Sequence, residues 1–183
     1  MDTKHGGRYS RGTQRGITLI EMTVVVAVMV IVAATAAPSL ANFIDGRRLD
    51  AAANQLAADI QFVRTEAVAR NRPVRLSFHT GADSSCWVVH TGAAAQCSCA
   101  GNGLALCTGG ALEIKTVVLS AADRVGLQSN VASMLFDPLH GTATPTGTLR
   151  LVDARGREVR HIVNVMGRAR SCTPNGVPGW RAC

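Results

Sequence analysis

An uncharged run near the amino terminus constrains the fold more than any other feature of this sequence. No charged residue occurs over the 23 positions from Met22 to Ile44, and Glu21 directly precedes the run. As a helix rising about 1.5 Å per residue, the run can cross a hydrocarbon core about 30 Å thick. We therefore expect one membrane-spanning helix, over residues 17–44.

The charges that flank this run predict its orientation. Residues 1–16 carry four basic residues against one acid: Lys4, Arg8, Arg11 and Arg15 against Asp2. Because basic flanks stay on the cytoplasmic side of a membrane, the chain after Ile44 is expected outside the cytoplasm.

The presence of Glu21 distinguishes between three explanations of the uncharged run. A removable signal peptide would use the small residues at 33–37 for cleavage, but a carboxylate weakens its apolar stretch. A plain signal anchor leaves Glu21 unexplained, because an ionisable group near the bilayer centre costs roughly 2.5 to 3.5 kcal/mol. In the third explanation the chain is cut after Gly16, and Glu21 neutralises the new ammonium group of Ile17 on a neighbouring subunit.

The sequence GITLIE at residues 16–21 resembles the class III signal of type IV pilins and pseudopilins, with a basic leader, a glycine before the cut and a glutamate five residues into the mature chain. Pro38 also stands where many of these proteins have a helix-kinking proline. The resemblance implies that a prepilin peptidase removes residues 1–16. The remainder, an inner-membrane protein with a periplasmic head, would then join other pilins in a filament. Ile17 replaces the family's usual phenylalanine, which leaves N-methylation of the new terminus open.

The pattern after Pro38 predicts that the helix continues as an amphipathic segment, residues 45–72. Apolar residues recur three or four positions apart, at Leu49, Ala52, Leu56, Ile60, Val63 and Ala67. Polar residues are expected on the other faces. These include Asp50, Asn54, Asp59, Arg64 and Glu66. Pro73 should end the helix near residues 70–72, and the head should then occupy residues 73–183.

Six runs of the head have the composition of strands separated by turn formers. They lie at residues 74–79, 86–91, 112–119, 132–137, 148–153 and 158–165. The last two runs form the clearest hairpin. The sequence thus predicts an α+β, type IV pilin-like fold, in which a long N-terminal helix packs on a C-terminal antiparallel β-rich head.

Six cysteines in an extracytoplasmic head predict disulfides. Cys172 and Cys183 stand apart from the others, and we pair them in a C-terminal loop. The other four are expected to staple the uncharged loop at residues 92–110, with connectivity left open: Cys86, Cys97, Cys99 and Cys107. A four-thiolate zinc site is the alternative, but one pair is separated by a single residue, not the usual two. We expect no metal and no cofactor.

The residue pattern does not predict catalysis. Four histidines of the outward-facing chain are scattered: His79, His90, His140 and His161. No paired metal-ligand spacing, nucleophile elbow, phosphate-binding loop or redox dithiol motif accompanies them. We do not expect an enzyme, although a serine and a histidine could still meet in the folded chain.

Positive charge is concentrated near the C-terminus. Residues 141–183 hold seven arginines against Asp153 and Glu158, a balance of +5, whereas residues 17–140 hold eight basic and nine acidic groups. Planar guanidinium groups suit phosphate oxygens. The candidate phosphate-binding residues are therefore Arg168, Arg170, Arg160, Arg155, Arg157 and Arg181, with Trp180 as a stacking face for an unpaired base.

A long helix, a β-rich head and a terminal Gly-Arg-x-Arg are together similar to the FimT/GspH family of minor pilins and pseudopilins. In FimT-like members such a motif is associated with DNA binding during natural transformation. The resemblance implies a minor pilin, in an extracellular pilus or at its tip, whose DNA-binding motif falls on Gly167, Arg168 and Arg170 and contacts DNA phosphates through the two arginines. The alternative is a minor pseudopilin of a type II secretion system, or a pilus-initiating minor pilin, that recognises only protein. A glycine flanked by arginines also blunts strand ends in ordinary soluble proteins.

Overall fold

The computed structural model describes residues 16–81, 84–100 and 103–183. The chain divides into two compact units, residues 1–41 and residues 42–183. The basic part of the predicted leader, residues 1–15, lies outside the described residues.

A single long helix, α1 (Leu19–Arg70), begins directly after Thr18. The Glu21 N–H donates to Thr18 Oγ1 at 3.3 Å, which satisfies one of the free amides of the first turn. The Glu21 carboxylate also lies in this turn, where the helix dipole favours negative charge. Glu21 therefore supports the helix start in addition to any role in assembly.

The described part of the first unit is residues 16–41, and most of it belongs to the apolar part of α1. All of its residues from 16 to 40 are exposed. A window of this helix reaches a mean hydropathy of 2.5, so by length and composition α1 can cross a membrane. Pro38 lies inside the helix.

Eleven strands and a short 3₁₀ helix (Ala121–Asp123) follow α1 in the described residues. The strands are β1 (Val74–Thr80), β2 (Ser84–His90), β3 (Cys97–Cys99), β4 (Ala105–Cys107), β5 (Glu113–Ser120), β6 (Val125–Ser129), β7 (Ser133–Phe136), β8 (Ala143–Thr144), β9 (Gly147–Asp153), β10 (Glu158–Val163) and β11 (Ala169–Cys172). They form a five-stranded sheet in the order β5-β2-β1-β7-β8, a four-stranded sheet in the order β11-β10-β9-β6, and the ribbon β3-β4. A long apolar helix followed by an antiparallel β-rich head confirms the predicted α+β, pilin-like fold.

The six predicted strands correspond to β1, β2, β5, β7, β9 and β10. The shorter strands β3, β4, β6, β8 and β11 were missed because two to five residues carry little periodic signal. The ribbon β3-β4 lies within the expected loop. Arg170, one of the two motif arginines, belongs to the missed strand β11 and pairs with Ile162 of β10, whereas Arg168 precedes the strand.

The head core forms between the sheets and the part of α1 that lies in the second unit. The predicted apolar stripe is buried throughout, at Leu49, Ala52, Leu56, Ile60, Val63 and Ala67. These side chains share one cluster with Trp87 and Phe136 of the five-stranded sheet and with Leu149 and Leu151 of β9. Each fully buried side chain of this size contributes about 1.5 to 3 kcal/mol, so the stripe anchors α1 to the head.

Asp59 does not lie on a polar face, as its charge suggested, but is buried in the core with 1% exposure. It stands three residues after Leu56 and four residues before Val63, and therefore shares the buried stripe. The Trp87 Nε1–H donates to Asp59 Oδ2 at 2.8 Å, and Lys115 Nζ donates to Oδ1 at 2.5 Å. Gln55 Nε2 donates to both oxygens at 3.2 Å. This carboxylate joins α1 to β2 and β5.

The structure contains three disulfides, with no free cysteine in the described chain. They join Cys86 to Cys99, Cys97 to Cys107, and Cys172 to Cys183. The first two connect β2, β3 and β4, and the third closes the C-terminal loop. Within the described residues, no group of three or more metal-ligating side chains occurs.

Candidate functional site

The predicted processing segment lies at the start of the described chain. Gly16, Ile17 and Thr18 precede α1 without helical structure and are exposed, and the Ile17 side chain is 69% exposed. Accessible, non-helical backbone is what a peptidase requires. Glu21 follows one helical turn after Ile17.

Gly167 of the predicted DNA-binding motif has a structural role. Its backbone φ of +68° lies in the left-handed region, and a Cβ atom there would come within 2.6 Å of Gly141 O. Asn164 completes the turn, since its backbone O accepts from the Gly167 N–H and its Oδ1 accepts from the Arg168 N–H. Both the conformation and the close approach explain why glycine occupies this position.

Replacing Gly167 with alanine is expected to destabilise the head by about 2 kcal/mol or more, because the left-handed conformation costs about 1 kcal/mol and the contact with Gly141 O forces a backbone shift. Gly156 is the matched control, since its φ is +77° but a Cβ placed on it would meet no atom within 4 Å. Urea unfolding of both variants, followed by tryptophan fluorescence, separates the two effects. Equal losses would show that the close approach contributes nothing.

Three of the candidate arginines are already paired with acidic side chains of the head. Arg155 Nε lies 3.2 Å from Asp45 Oδ2, and Arg157 Nε lies 2.6 Å from Asp153 Oδ2. Arg160 pairs with Glu158, which also accepts two hydrogen bonds from Arg150. Hydrogen bonding by Arg150, above all, lowers the pKa of Glu158 to about 2.

Arg168, Arg170 and Arg181 differ from these three. They are exposed, and no ion pair links them to any acid in the part of the chain that the structure describes. The seven candidate residues therefore do not form one surface for phosphate. Of the Gly-Arg-x-Arg motif, only the two exposed guanidinium groups of Arg168 and Arg170 are available to bind a partner.

Trp180 holds the C-terminal loop against the head. Its Nε1–H donates to Asp50 Oδ1 at 2.9 Å, and its half-buried ring packs edge-on to His161 with centroids 6.0 Å apart. These contacts occupy the side chain that the sequence analysis assigned to base stacking. The tryptophan connects the disulfide-closed loop to α1.

His161 gives the head a pH-dependent stability. Burial lowers its pKa from 6.5 to about 4, against a smaller opposing effect of the Ala53 backbone. The unfolded chain therefore binds this proton below pH 6.5, whereas the folded head binds it only below about pH 4. Stability should be full above pH 6.5 and fall by about 3 kcal/mol as the pH drops to 4.

Unfolding free energies measured between pH 7 and pH 4.5 check this expectation. His161→Gln should flatten the slope, whereas His140→Gln, at an exposed position, should retain it. Parallel slopes for the unsubstituted chain and His161→Gln would contradict the assignment.

The structure also places two serines next to histidines: Ser171 Oγ lies 2.8 Å from Nδ1 of the buried His161, and Ser77 lies next to His90. Ser77 Oγ and His90 Nε2 lie 2.8 Å apart, but both side chains are buried. His90 Nδ1 lies 2.8 Å from the Thr91 carbonyl oxygen, not from a carboxylate. Burial, more than any other influence, lowers the pKa of His90. This pair has the spacing of a nucleophile and a base but lacks an accessible surface for substrate.

Apolar side chains that the sequence pattern did not single out surround the arginine pair. Leu139, Ile162, Val165 and Met166 are exposed on or beside the turns next to Gly167. Val165 ends the run predicted as the last strand, and Met166 lies between it and Gly167, so two adjacent large apolar residues at a predicted strand end were the available signal.

An exposed apolar helix that begins beside the Gly16–Glu21 sequence and an antiparallel head define the class of type IV pilin-like proteins. A family model described as a prokaryotic N-terminal methylation motif matches residues 11–37, and one described as type II transport protein GspH matches residues 52–167. The chain belongs to the GspH family. Pilin-like proteins of this kind are structural. The motif and the apolar helix make this one an inner-membrane-anchored protein with a periplasmic head.

A curated relative is similar to part of the chain. It is the type II secretion system protein H of Xanthomonas campestris pv. campestris, 39% identical over 61 residues. The match covers 33% of this chain and 36% of the relative's length. No solved structure matches the chain.

Proposed function

We propose that the protein is a minor pseudopilin of a type II secretion system, a structural subunit that joins a filament of other pilin-like proteins. The GspH match over most of the head, behind an N-terminal methylation motif, is the observation that supports this proposal most strongly. The name of the Xanthomonas relative agrees with it. The comparisons thus favour the structural alternative over DNA uptake.

Assembly follows from the chemistry of the processing segment. Prepilin peptidase cuts after Gly16, and the ammonium group of Ile17 then enters an apolar environment. An unpaired charge there costs roughly 2.5 to 3.5 kcal/mol, so a Glu21 carboxylate of a neighbouring subunit stabilises both groups. The same apolar helix first anchors the subunit in the inner membrane and then packs against other helices in the filament.

The head serves as a protein-binding platform and not as an enzyme. Its disulfides hold the β3-β4 ribbon to β2 and close the C-terminal loop, and ion pairs with buried carboxylates join α1 to β5 and to the turn between β9 and β10. The buried Ser77–His90 pair offers no open site. Rigid loops suit a subunit that must present one constant surface to its neighbours.

DNA binding is the second candidate function, because Arg168 and Arg170 are exposed and without acidic partners among the described residues. Sequence-independent phosphate contacts would give a salt-dependent affinity for duplex DNA. Loss of both arginines should then reduce the salt slope by about 1.8, since each phosphate contact contributes about 0.9. If the Arg168→Ala/Arg170→Ala variant kept the salt slope of the unsubstituted chain, DNA binding through these arginines would be excluded.

Deletion of the gene in its host distinguishes the two functions. A pseudopilin should be required for export of type II secretion substrates, and complementation by the intact chain should restore export. Transformation by free DNA should remain unchanged. Normal export with a loss of transformation would overturn the proposal in favour of DNA uptake.

A further inference from the structure

Three segments of the head meet at the buried residue Gly167. Arg64 of α1 donates from Nε to Gly141 O at 3.2 Å, and the same carbonyl oxygen is the closest neighbour of a Cβ placed on Gly167. The Ala143 N–H donates to Val165 O at 2.9 Å. The helix, the turn at residues 137–141 and the turn at residues 164–167 therefore form one continuous surface.

This surface exposes apolar side chains beside the two arginines. We define the Gly167 surface by six residues: Leu139, Ile162, Val165, Met166, Arg168 and Arg170. The four apolar side chains are 77%, 41%, 54% and 51% exposed, in that order. Exposed apolar patches with a polar rim mark interaction sites, and methionine and arginine are enriched where proteins meet.

A groove extends the Gly167 surface along α1. It encloses about 460 Å³ and is lined by Arg64, Val68, Leu139 and Gly141 with their neighbours. Val68 is itself exposed in this groove. The volume accommodates an apolar side chain from a partner.

Charge specifies the chemistry of that partner. Arg168 and Arg170 form no ion pair with an acid among the described residues, and Asp137, near Leu139 in sequence, is already hydrogen-bonded to His140. A partner must therefore supply carboxylates to complement the arginines. A nucleic acid backbone would satisfy the charge but leave the four apolar side chains in water.

We propose that the Gly167 surface docks a protein segment that carries carboxylates next to an apolar side chain, presented by another subunit of the pseudopilus. This proposal rests on the proposed function and identifies the chemistry of the partner. The apolar side chain enters the groove beside Val68, and the carboxylates pair with Arg168 and Arg170.

Fluorescence anisotropy with four labelled probes and the full chain in detergent tests this assignment. The probes are a twelve-residue peptide alternating leucine and glutamate, its versions with glutamine for glutamate and with serine for leucine, and a DNA duplex of similar length. The leucine–glutamate peptide should bind at least tenfold more tightly than each of the other three, because only it satisfies both parts of the surface.

Two double variants separate the contributions. Leu139→Ser/Met166→Ser and Arg168→Ala/Arg170→Ala should each weaken binding of the leucine–glutamate peptide about tenfold. Leu106→Ser and Arg47→Ala, at exposed positions on the β3-β4 ribbon and early in the head part of α1, are matched controls and should not change it. Unchanged tryptophan fluorescence confirms that each variant is folded.

Three results would overturn the proposal. In the first, the leucine–glutamate peptide does not bind. In the second, the peptide with serine in place of leucine binds as tightly as the leucine–glutamate peptide. In the third, the DNA duplex binds more tightly than the leucine–glutamate peptide, and its binding depends on the arginines alone. Export in the complemented deletion strain reports on the proposed function separately. Normal export without peptide binding would therefore reject the docking chemistry and leave the pseudopilin function standing.

Discussion

Replacing Glu21 with alanine is expected to remove the protein from filaments while leaving it in the membrane. After cleavage, the Ile17 ammonium group has no carboxylate partner in the variant, at a cost of a few kcal/mol for every subunit inserted. A cost of about 2.8 kcal/mol corresponds to a hundredfold lower incorporation. The measurement is the amount of protein in sheared or overproduced filaments relative to the amount in membranes.

Glu113→Ala is the matched control for this experiment, because it removes an exposed carboxylate at the start of β5. The control variant should enter filaments normally. Glu21 also lies in the first helical turn and could act only by supporting the helix start. The variant Glu21→Gln distinguishes this role from charge pairing with Ile17. Glutamine retains the side-chain shape but not the charge, so it should also fail to assemble, whereas normal assembly of Glu21→Gln would contradict charge pairing.

Replacing Asp59 with alanine should destabilise the head by about 3 kcal/mol. The substitution leaves the buried Trp87 N–H without its acceptor and removes the partner of Lys115. Breaking such a buried, hydrogen-bonded pair typically costs about 3 to 5 kcal/mol, and the half-exposed Lys115 places the expected loss at the lower end. Urea unfolding monitored by tryptophan fluorescence measures the loss directly, since both tryptophans belong to the head.

Asp59→Asn separates the hydrogen bond from the charge. The amide oxygen can still accept from Trp87, so a smaller loss of about 1 to 2 kcal/mol is expected. Asp123→Ala, on the exposed 3₁₀ helix, should lower stability less than Asp59→Ala. If Asp59→Ala unfolded at the same urea concentration as the unsubstituted chain, this carboxylate would have no role in holding α1 against β2 and β5.

The long helix and the principal strands could be predicted because their signals are periodic. Apolar residues three or four positions apart define the buried stripe of α1, and Pro73 limits its length. Leu149 and Leu151 alternate with Arg150 as a half-buried strand requires. Both patterns arise from local geometry, which a single sequence displays directly.

Asp59 shows where this approach fails. Its charge suggested a polar face, but its position in the helical repeat places it on the buried one. Whether a buried carboxylate is tolerated depends on donors from β2 and β5, which lie far away in sequence. No local pattern carries that information.

The arginines of the C-terminal region illustrate the same difficulty for function. Composition grouped them as one basic surface, but Arg155, Arg157 and Arg160 each have an acidic partner in the folded head. Gly167 seemed part of a binding motif, but the turn at residues 164–167 requires a glycine at this position. Only the fold distinguishes the exposed pair Arg168 and Arg170 from arginines that stabilise the structure, and reveals the apolar side chains around that pair.

The intact mass of the protein isolated from membranes tests the central claim most directly. The account predicts a chain that begins at Ile17 when prepilin peptidase is present and an uncut chain when the peptidase is absent. A mature chain beginning near Ala37 in both strains would contradict it, because signal-peptide cleavage there would remove Glu21 and most of the apolar helix.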